Sequence, residues 1–498
     1  MNTDKAAELQ NTNRIEISEI AYFLYFTVMF GARAIGLFEG MLVYNISLVI
    51  GMLLFALKVA MTKHTLLEYG VISGLLLISL LVYGNTGEKG LLLYFTMMLG
   101  LKGVSLKKVF QLGTAILSVS FVTLVFLSVT GIREEITYIH DRAGFGHVIR
   151  HSLGYPYPNT LMTTYIVLMA LIFYVIGKTK RNNLLLITLF LLMGTIYLYL
   201  YSCSNTGLLV GVFFLLVNLY LHLRGNLSKL EKTAVWLVYP VCVVTSVIGP
   251  LVTKGWLFEL FDKVLHNRWA YSLYYLTHEP VTLFGTRFQE APNPNYMIDS
   301  SFLYSFLQIG IIPFVIITFL YIRMITDCVK KEKKPEMVII VSFCVLGLSD
   351  PFLFNLSYKN LMFLFVGDFL YRRFEELHQK DLGIWNREIR LIPAGNNKID
   401  CSRGLMKVAG LTGRRIREEI GRRSGLWSVL YFLTSVLIAT GLFLTFSGNY
   451  IVGRLDDIPE WEFVRSIVST GVFGAALGVG LFLTVVIIKT CKKEKTDL

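Results

Sequence analysis

LMTTYIVLMALIFYVIGKTKRNNLLLITLFLLMGTIYLYL, Leu161 to Leu200, decides the fold. Two apolar runs flank a short turn carrying Lys178, Lys180 and Arg181, and neither run contains a charge. At about 1.5 Å of rise per residue, roughly 20 residues of helix cross a hydrocarbon core about 30 Å thick. A helix satisfies its own backbone hydrogen bonds, as a segment in lipid must. The pattern is therefore a membrane hairpin whose turn lies on the side where Lys and Arg collect.

The same reading repeats along the chain. It predicts fourteen spans, at residues 17–36, 41–60, 67–83, 89–105, 109–130, 158–177, 183–200, 206–222, 233–252, 300–322, 337–355, 358–371, 427–447 and 467–488. Every second loop is basic: Lys102/Lys107/Lys108, Lys178/Lys180/Arg181, Arg224/Lys229/Lys232, Lys330–Lys334, residues 372–426 and the tail after Cys491. The bias places both termini in the cytoplasm. With 54% hydrophobic and 16% charged residues and a mean hydropathy of +0.59, the 498-residue chain is too apolar for a water-soluble protein. Residues 1–16 are polar and lack the apolar region of a signal peptide, so no cleaved leader is expected. The formal charge of +13 comes from short clusters between spans, without interleaved aromatics, so topology explains it and nucleic acid does not. Period-2 patterning of the outer-membrane barrel kind is absent. The six cysteines follow no metal-ligand spacing and give no disulfide framework.

Positive charge on the outer side runs against this bias and needs another reason. Two long outer loops hold most of it. Residues 131–157 carry Arg133, Arg142 and Arg150 with His140, His147 and His151; residues 253–299 carry Lys254, Lys263, Arg268 and Arg287 with His266 and His278. Arginine offers a fixed fork of donors that grips phosphate. A neighbouring histidine can move a proton near neutral pH. Glu134, Glu135, Asp141, Glu279, Glu290 and Asp299 are alternative bases, and Trp256, Trp269, Tyr271, Tyr274 and Tyr275 offer flat faces for sugar rings. On a helix His147 and His151 would share a face, but Gly144 and Gly146 interrupt one, no acidic or Cys ligand is fixed beside them, and no metal or other cofactor is expected. Walker, GxGxxG and DxD patterns are absent. Arg33 and Asp350 lie in spans near their outer ends, where an ionisable group is a functional hypothesis.

The order of motifs resembles Wzy-type O-antigen and capsular polysaccharide polymerases. Arg142 and Arg150 precede HSLGYPYPN (His151–Asn159) at the start of a span; SNTG (Ser204–Gly207), HNRW (His266–Trp269), LFGTRF (Leu283–Phe288), IDSSFLYSFLQIGII (Ile298–Ile312) and LSDPFLFNLSYKN (Leu348–Asn360) follow in the family's order. Asn205 stands where members often carry arginine. The resemblance implies an all-α polytopic membrane glycosyltransferase, a GT-C-like bundle of about twelve spans over residues 17–371. Its place would be the bacterial cytoplasmic membrane, with an extracytoplasmic active site and no metal. It would join undecaprenyl-pyrophosphate-linked oligosaccharide repeat units on the outer leaflet, alongside membrane lipids and the pathway's flippase and chain-length regulator. Arg142, Arg150, Arg268 and Arg287 would hold pyrophosphate, His151 or His147 would move the proton, and Asn159 would cap the next helix; Trp269, Asp299, Arg33 and Asp350 would line the substrate site.

Residues 372–498 depart from the family's usual length: a basic segment at 372–426 with RRIREEIGRR (Arg414–Arg423), an added two-span hairpin at 427–488 with Gly474 and Gly478 spaced as GxxxG, and a tail at 489–498. An O-antigen-ligase-like transferase would use similar loops. A lipid-linked oligosaccharide flippase would instead place charges at mid-span and repeat its halves, and neither pattern is seen.

Overall fold

A computed structural model describes residues 14–392, apart from 130, 143–145, 178–180, 266, 290, 292–296, 354–357 and 381, and also residues 399–400. The chain is mostly helical: α1 (Ile17–Ala34), α2 (Leu42–Met61), α3 (Leu66–Thr86), α4 (Gly90–Leu99), α5 (Leu106–Val129), α6 (Pro158–Ile176), α7 (Arg181–Ser202), α8 (Asn205–Leu223), α9 (Lys229–Val247), α10 (Trp256–Val264), α11 (Arg268–His278), α12 (Ile311–Lys330), α13 (Lys334–Leu346) and α14 (Met362–His378). Among the described residues eight helices are long and apolar enough to cross a membrane: α2, α3, α5, α6, α7, α8, α9 and α12. The protein is membrane-embedded.

Three expected spans are redrawn. The span at 89–105 is the 10-residue α4, nearly all buried. The span at 300–322 is broken: Ser301–Tyr304 and a π-turn at Ser305–Ile309 end at Gly310, and α12 starts afresh. The span at 337–355 stops at Leu346, and among the described residues 347–353 and 358–361 are not α-helical before α14 starts at Met362. Bilayer thickness sets helix length only where lipid is the neighbour; protein-lined interiors tolerate short and broken helices. α4 and α14 share that interior. Tyr94 stacks on Phe363 at 4.7 Å, and a Cβ on Gly367 would lie 2.6 Å from the Met98 carbonyl oxygen, so only glycine permits this approach. The spans at 427–447 and 467–488 and the basic segment beyond residue 400 lie outside the described residues.

The first long loop is not irregular. Thr137–Arg142 (β1) and Gly146–His151 (β2) form an antiparallel hairpin, Thr137 opposite His151 and Arg142 opposite Gly146. His147 and His151 therefore sit on a strand, not on the helix face that a metal pair would use. The second loop folds into α10, α11 and an extended run that docks on α12. There Ile311 and Ile312 donate to the Thr282 and Leu283 carbonyls at 3.0 and 3.1 Å. Gly285 and Gly310, at φ +82° and +97°, meet backbone to backbone, and a Cβ on Gly285 would fall 2.0 Å from the Gln308 oxygen. That contact explains the Phe-Gly pair of LFGTRF.

Candidate active site

The hairpin and the loop containing α10 and α11 lie at one end of the bundle, and a belt of hydrogen bonds, short backbone steps and one ion pair joins them. Arg150, on β2, donates from Nε to the Ser202 carbonyl at 2.7 Å and from Nη2 to Asn159 Oδ1 at 2.8 Å. Asn159 is thus bonded to Arg150 and is not the helix cap expected of it: Tyr157 occupies the cap position without a side-chain bond, and Pro158 opens the helix. One turn along α6, Thr163 donates to Asp350 Oδ2 at 2.8 Å. Asp350 Oδ1 accepts from the Phe352 amide at 2.9 Å, and its carbonyl accepts from Ser301 Oγ at 2.5 Å. Two residues before Ser301, Asp299 Oδ2 lies 2.9 Å from Nε of Arg268, the first residue of α11. Burial pushes the Asp299 carboxyl above its ordinary range, and the Arg268 guanidinium only partly offsets this. Arg150, Asn159, Asp350, Asp299 and Arg268 are brought into one connected structure.

His151 leads into a second feature. Its Nδ1 faces Glu135 Oε2 at 2.8 Å, while Glu135 Oε1 accepts the Leu153 amide at 2.9 Å. An ionised carboxylate only accepts, so Nδ1 carries the hydrogen and the neutral ring presents its lone pair at Nε2. Nε2 is buried and has no hydrogen-bond partner among the described residues. Tyr201 stands edge-on to the ring at 5.6 Å. Glu135, expected among the alternative bases, instead holds the His151 ring in place.

A third group enters the sequence reading only as an ion-pair partner for Asp350, the alternative to a functional role for that aspartate. Lys359, only 5% exposed, donates to Thr164 Oγ1 at 2.5 Å, and its ammonium lies 5.7 Å from the Tyr155 ring centroid. No ion pair joins it to Asp350; the two charges hold adjacent threonines of α6. Arg33 repels the ammonium and Asp350 attracts it. A buried ammonium held by a hydroxyl is poorly compensated. The available signal was a lone lysine in an apolar context, SYKN.

Other expected residues lie elsewhere. Trp269 is 3% exposed: it stacks on Phe261 at 4.9 Å, packs over Gly249 and donates to Thr253 Oγ1 at 2.8 Å, so it anchors α11 to the end of α9. Arg287 is exposed beside Gly87, off the belt. Arg33 covers the Tyr44 ring at 4.5 Å and donates to the Leu37 carbonyl at 3.2 Å. Arg142 and His147 pair by backbone in the hairpin, and their side chains, like that of His140 and all of His266 and Glu290, lie outside the described residues. Ser204 caps α8 by accepting the Gly207 amide at 3.3 Å, which explains the start of SNTG; Asn205 accepts from Tyr199 at 3.3 Å. Compared with known proteins, the chain matches no family model, no curated protein and no solved structure.

Chemically, this end offers arginines, a buried ammonium and an imidazole with one nitrogen open. That set suits a reaction in which an anionic group leaves and a hydroxyl loses its proton.

Proposed function

We propose that this chain is a metal-independent polysaccharide polymerase with a GT-C-like bundle. It works in the bacterial cytoplasmic membrane, both termini inside and the hairpin end outside. The substrate is an oligosaccharide repeat unit linked to undecaprenyl pyrophosphate. The acceptor sugar hydroxyl attacks the anomeric carbon of the donor chain; the carbon–oxygen bond to pyrophosphate breaks, and its electron pair leaves with the phosphate. Arg150, Arg268 and Lys359 stabilise that departing charge. Nε2 of His151 takes the hydroxyl proton while Glu135 holds the ring. Arg142 and Arg287 add positive charge on the two loops, and a chain-length regulator and flippase of the same pathway are the expected partners.

The observation that carries this reading is the belt from Arg150 through Asp350 to Arg268, which ties the two basic loops over one end of a membrane bundle. The test is polymerisation in vitro: purified protein, its own lipid-pyrophosphate-linked repeat unit, and products separated by size. Wild type should build a ladder that Arg150→Ala and His151→Ala lose while remaining folded. Transfer of the glycan to a different acceptor without a ladder would replace this reading with the ligase one. No transfer by wild type would remove both and favour transport.

A further inference from the structure

We propose that α10 is an interfacial helix that lies in the headgroup–acyl boundary of the membrane beside α9. α10 reads WLFELFDKV, and none of its residues is fully buried. Trp256, Leu260 and Val264, spaced four apart on one flank, are 74%, 48% and 64% exposed. The neighbouring flank is already used: Phe261 stacks on Trp269, and Asp262 accepts the Ala270 amide at 2.8 Å. The helix is thus held to α11 on one side, and its large apolar side chains are open on another.

Continuity with the lipid-facing surface identifies what covers them. Along α9, Leu237, Val241, Val244 and Ile248 are exposed at spacings of three and four, the stripe a spanning helix turns to lipid. It continues through the four-residue helix Gly249–Val252 at Leu251 and Val252. Gly255, at φ +58°, then turns the chain into α10, where the stripe resumes at Trp256. Lys254 and Lys263 flank it, as expected where side chains reach headgroups, and tryptophan is a residue of that depth. A soluble protein partner would meet an isolated patch; this patch is the end of a membrane surface. The short amphipathic helix matches the class that lies in the interface plane.

The experiment is nitroxide labelling of the full chain in phosphatidylethanolamine/phosphatidylglycerol vesicles. Leu260→Cys and Val264→Cys are compared with Glu259→Cys on the polar flank, and wild type labelled in parallel removes the native cysteine background. Collision rates with oxygen and with a water-soluble nickel complex report depth. Leu260→Cys and Val264→Cys labels should be oxygen-accessible and nickel-protected, about 5–10 Å below the phosphates, while the Glu259→Cys label should show the reverse. Nickel access equal at all three positions would overturn the proposal. So would protection from both reagents at Leu260→Cys, because that flank would then be covered by protein. The substitutions lie on exposed flanks, so folding is preserved, and the readout does not depend on enzymatic activity.

Discussion

The two ends of the bundle hold their buried charges differently. At the end away from the hairpin, ion pairs predominate, although buried Lys58 is held by the Lys102 carbonyl at 2.8 Å and Glu336 by the Tyr174 hydroxyl at 3.4 Å. Glu68 receives Lys102 at 2.5 Å and faces His64 at 2.8 Å; Lys108 meets Glu19 at 3.1 Å; Asp327 holds Arg372 and Lys331 at 2.9 and 2.8 Å, and Asp368 adds Arg372 at 3.0 Å and Lys333 at 3.5 Å. At the hairpin end, Lys359 and Asp350 hold threonines, and Tyr304 donates to Glu88 at 2.5 Å. Arg268–Asp299 and Lys89–Glu39 are ion pairs there among the described residues, and Glu135 faces the His151 ring at 2.8 Å. A neutral partner fixes a side chain's geometry but leaves its field uncancelled. The paired end fastens helices, and under the proposed function the other end is the one that would receive an anionic group.

That contrast can be broken by substitution, and the largest effect is expected at His151. His151→Ala should lower turnover by about 10²–10⁴-fold, with thermal stability little changed; Glu135→Gln should lower it less and displace its pH profile. Lys359→Met should cost about 10²–10³-fold in turnover and leave stability equal or higher, because it removes a poorly compensated buried charge. At the other end the pattern should invert. Glu68→Gln strands Lys102 and weakens the Thr65–Glu68 capping box, so it should destabilise by about 3 kcal/mol, the low end for a broken buried pair because Lys102 is partly exposed. Chemistry by the remaining folded protein should be unaffected. If Glu68→Gln abolished turnover without loss of stability, the comparison would fail.

A pH experiment sharpens the Arg268–Asp299 exception. The folded protein raises the Asp299 carboxyl, so it binds a proton more readily than the unfolded chain. Stability from this group is therefore full below the ordinary aspartate range and lost as pH rises through the raised value. Removing Arg268 exposes that penalty: Arg268→Ala should lower the melting temperature more at pH 7 than at pH 4, and Asp299→Asn should flatten the difference. The smallest effect is at the exposed Lys89–Glu39 pair, where Lys89→Ala should leave melting temperature and turnover within assay error.

The sequence was most readable where lipid is the neighbour. From α1 to α9 the expected boundaries lie within a few residues of the helices, except around α4, because apolar length and basic loops are both dictated by the bilayer. Reading failed where protein is the neighbour, at α4, Gly310 and residues 347–353, since no bilayer length applies there. The hairpin was legible but unread: TYIHDR and GHVIRH, each of strand length, flank the glycine-containing sequence AGF. Arg150, His151, Arg268, Asp299 and Asp350 could be named from residue type and place. Their partners could not, because Thr163, Thr164 and Ser202 are common residues whose roles come from tertiary contact alone.

The most direct measurement is binding of undecaprenyl pyrophosphate to the purified protein, read as its protection against thermal unfolding across a lipid titration. The account predicts that wild type and Lys102→Met are protected at the same lipid concentration, whereas Lys359→Met and Arg150→Ala need at least tenfold more. Equal protection of all four would contradict it, because Lys359 and Arg150 at the hairpin end would then have no part in holding the anion.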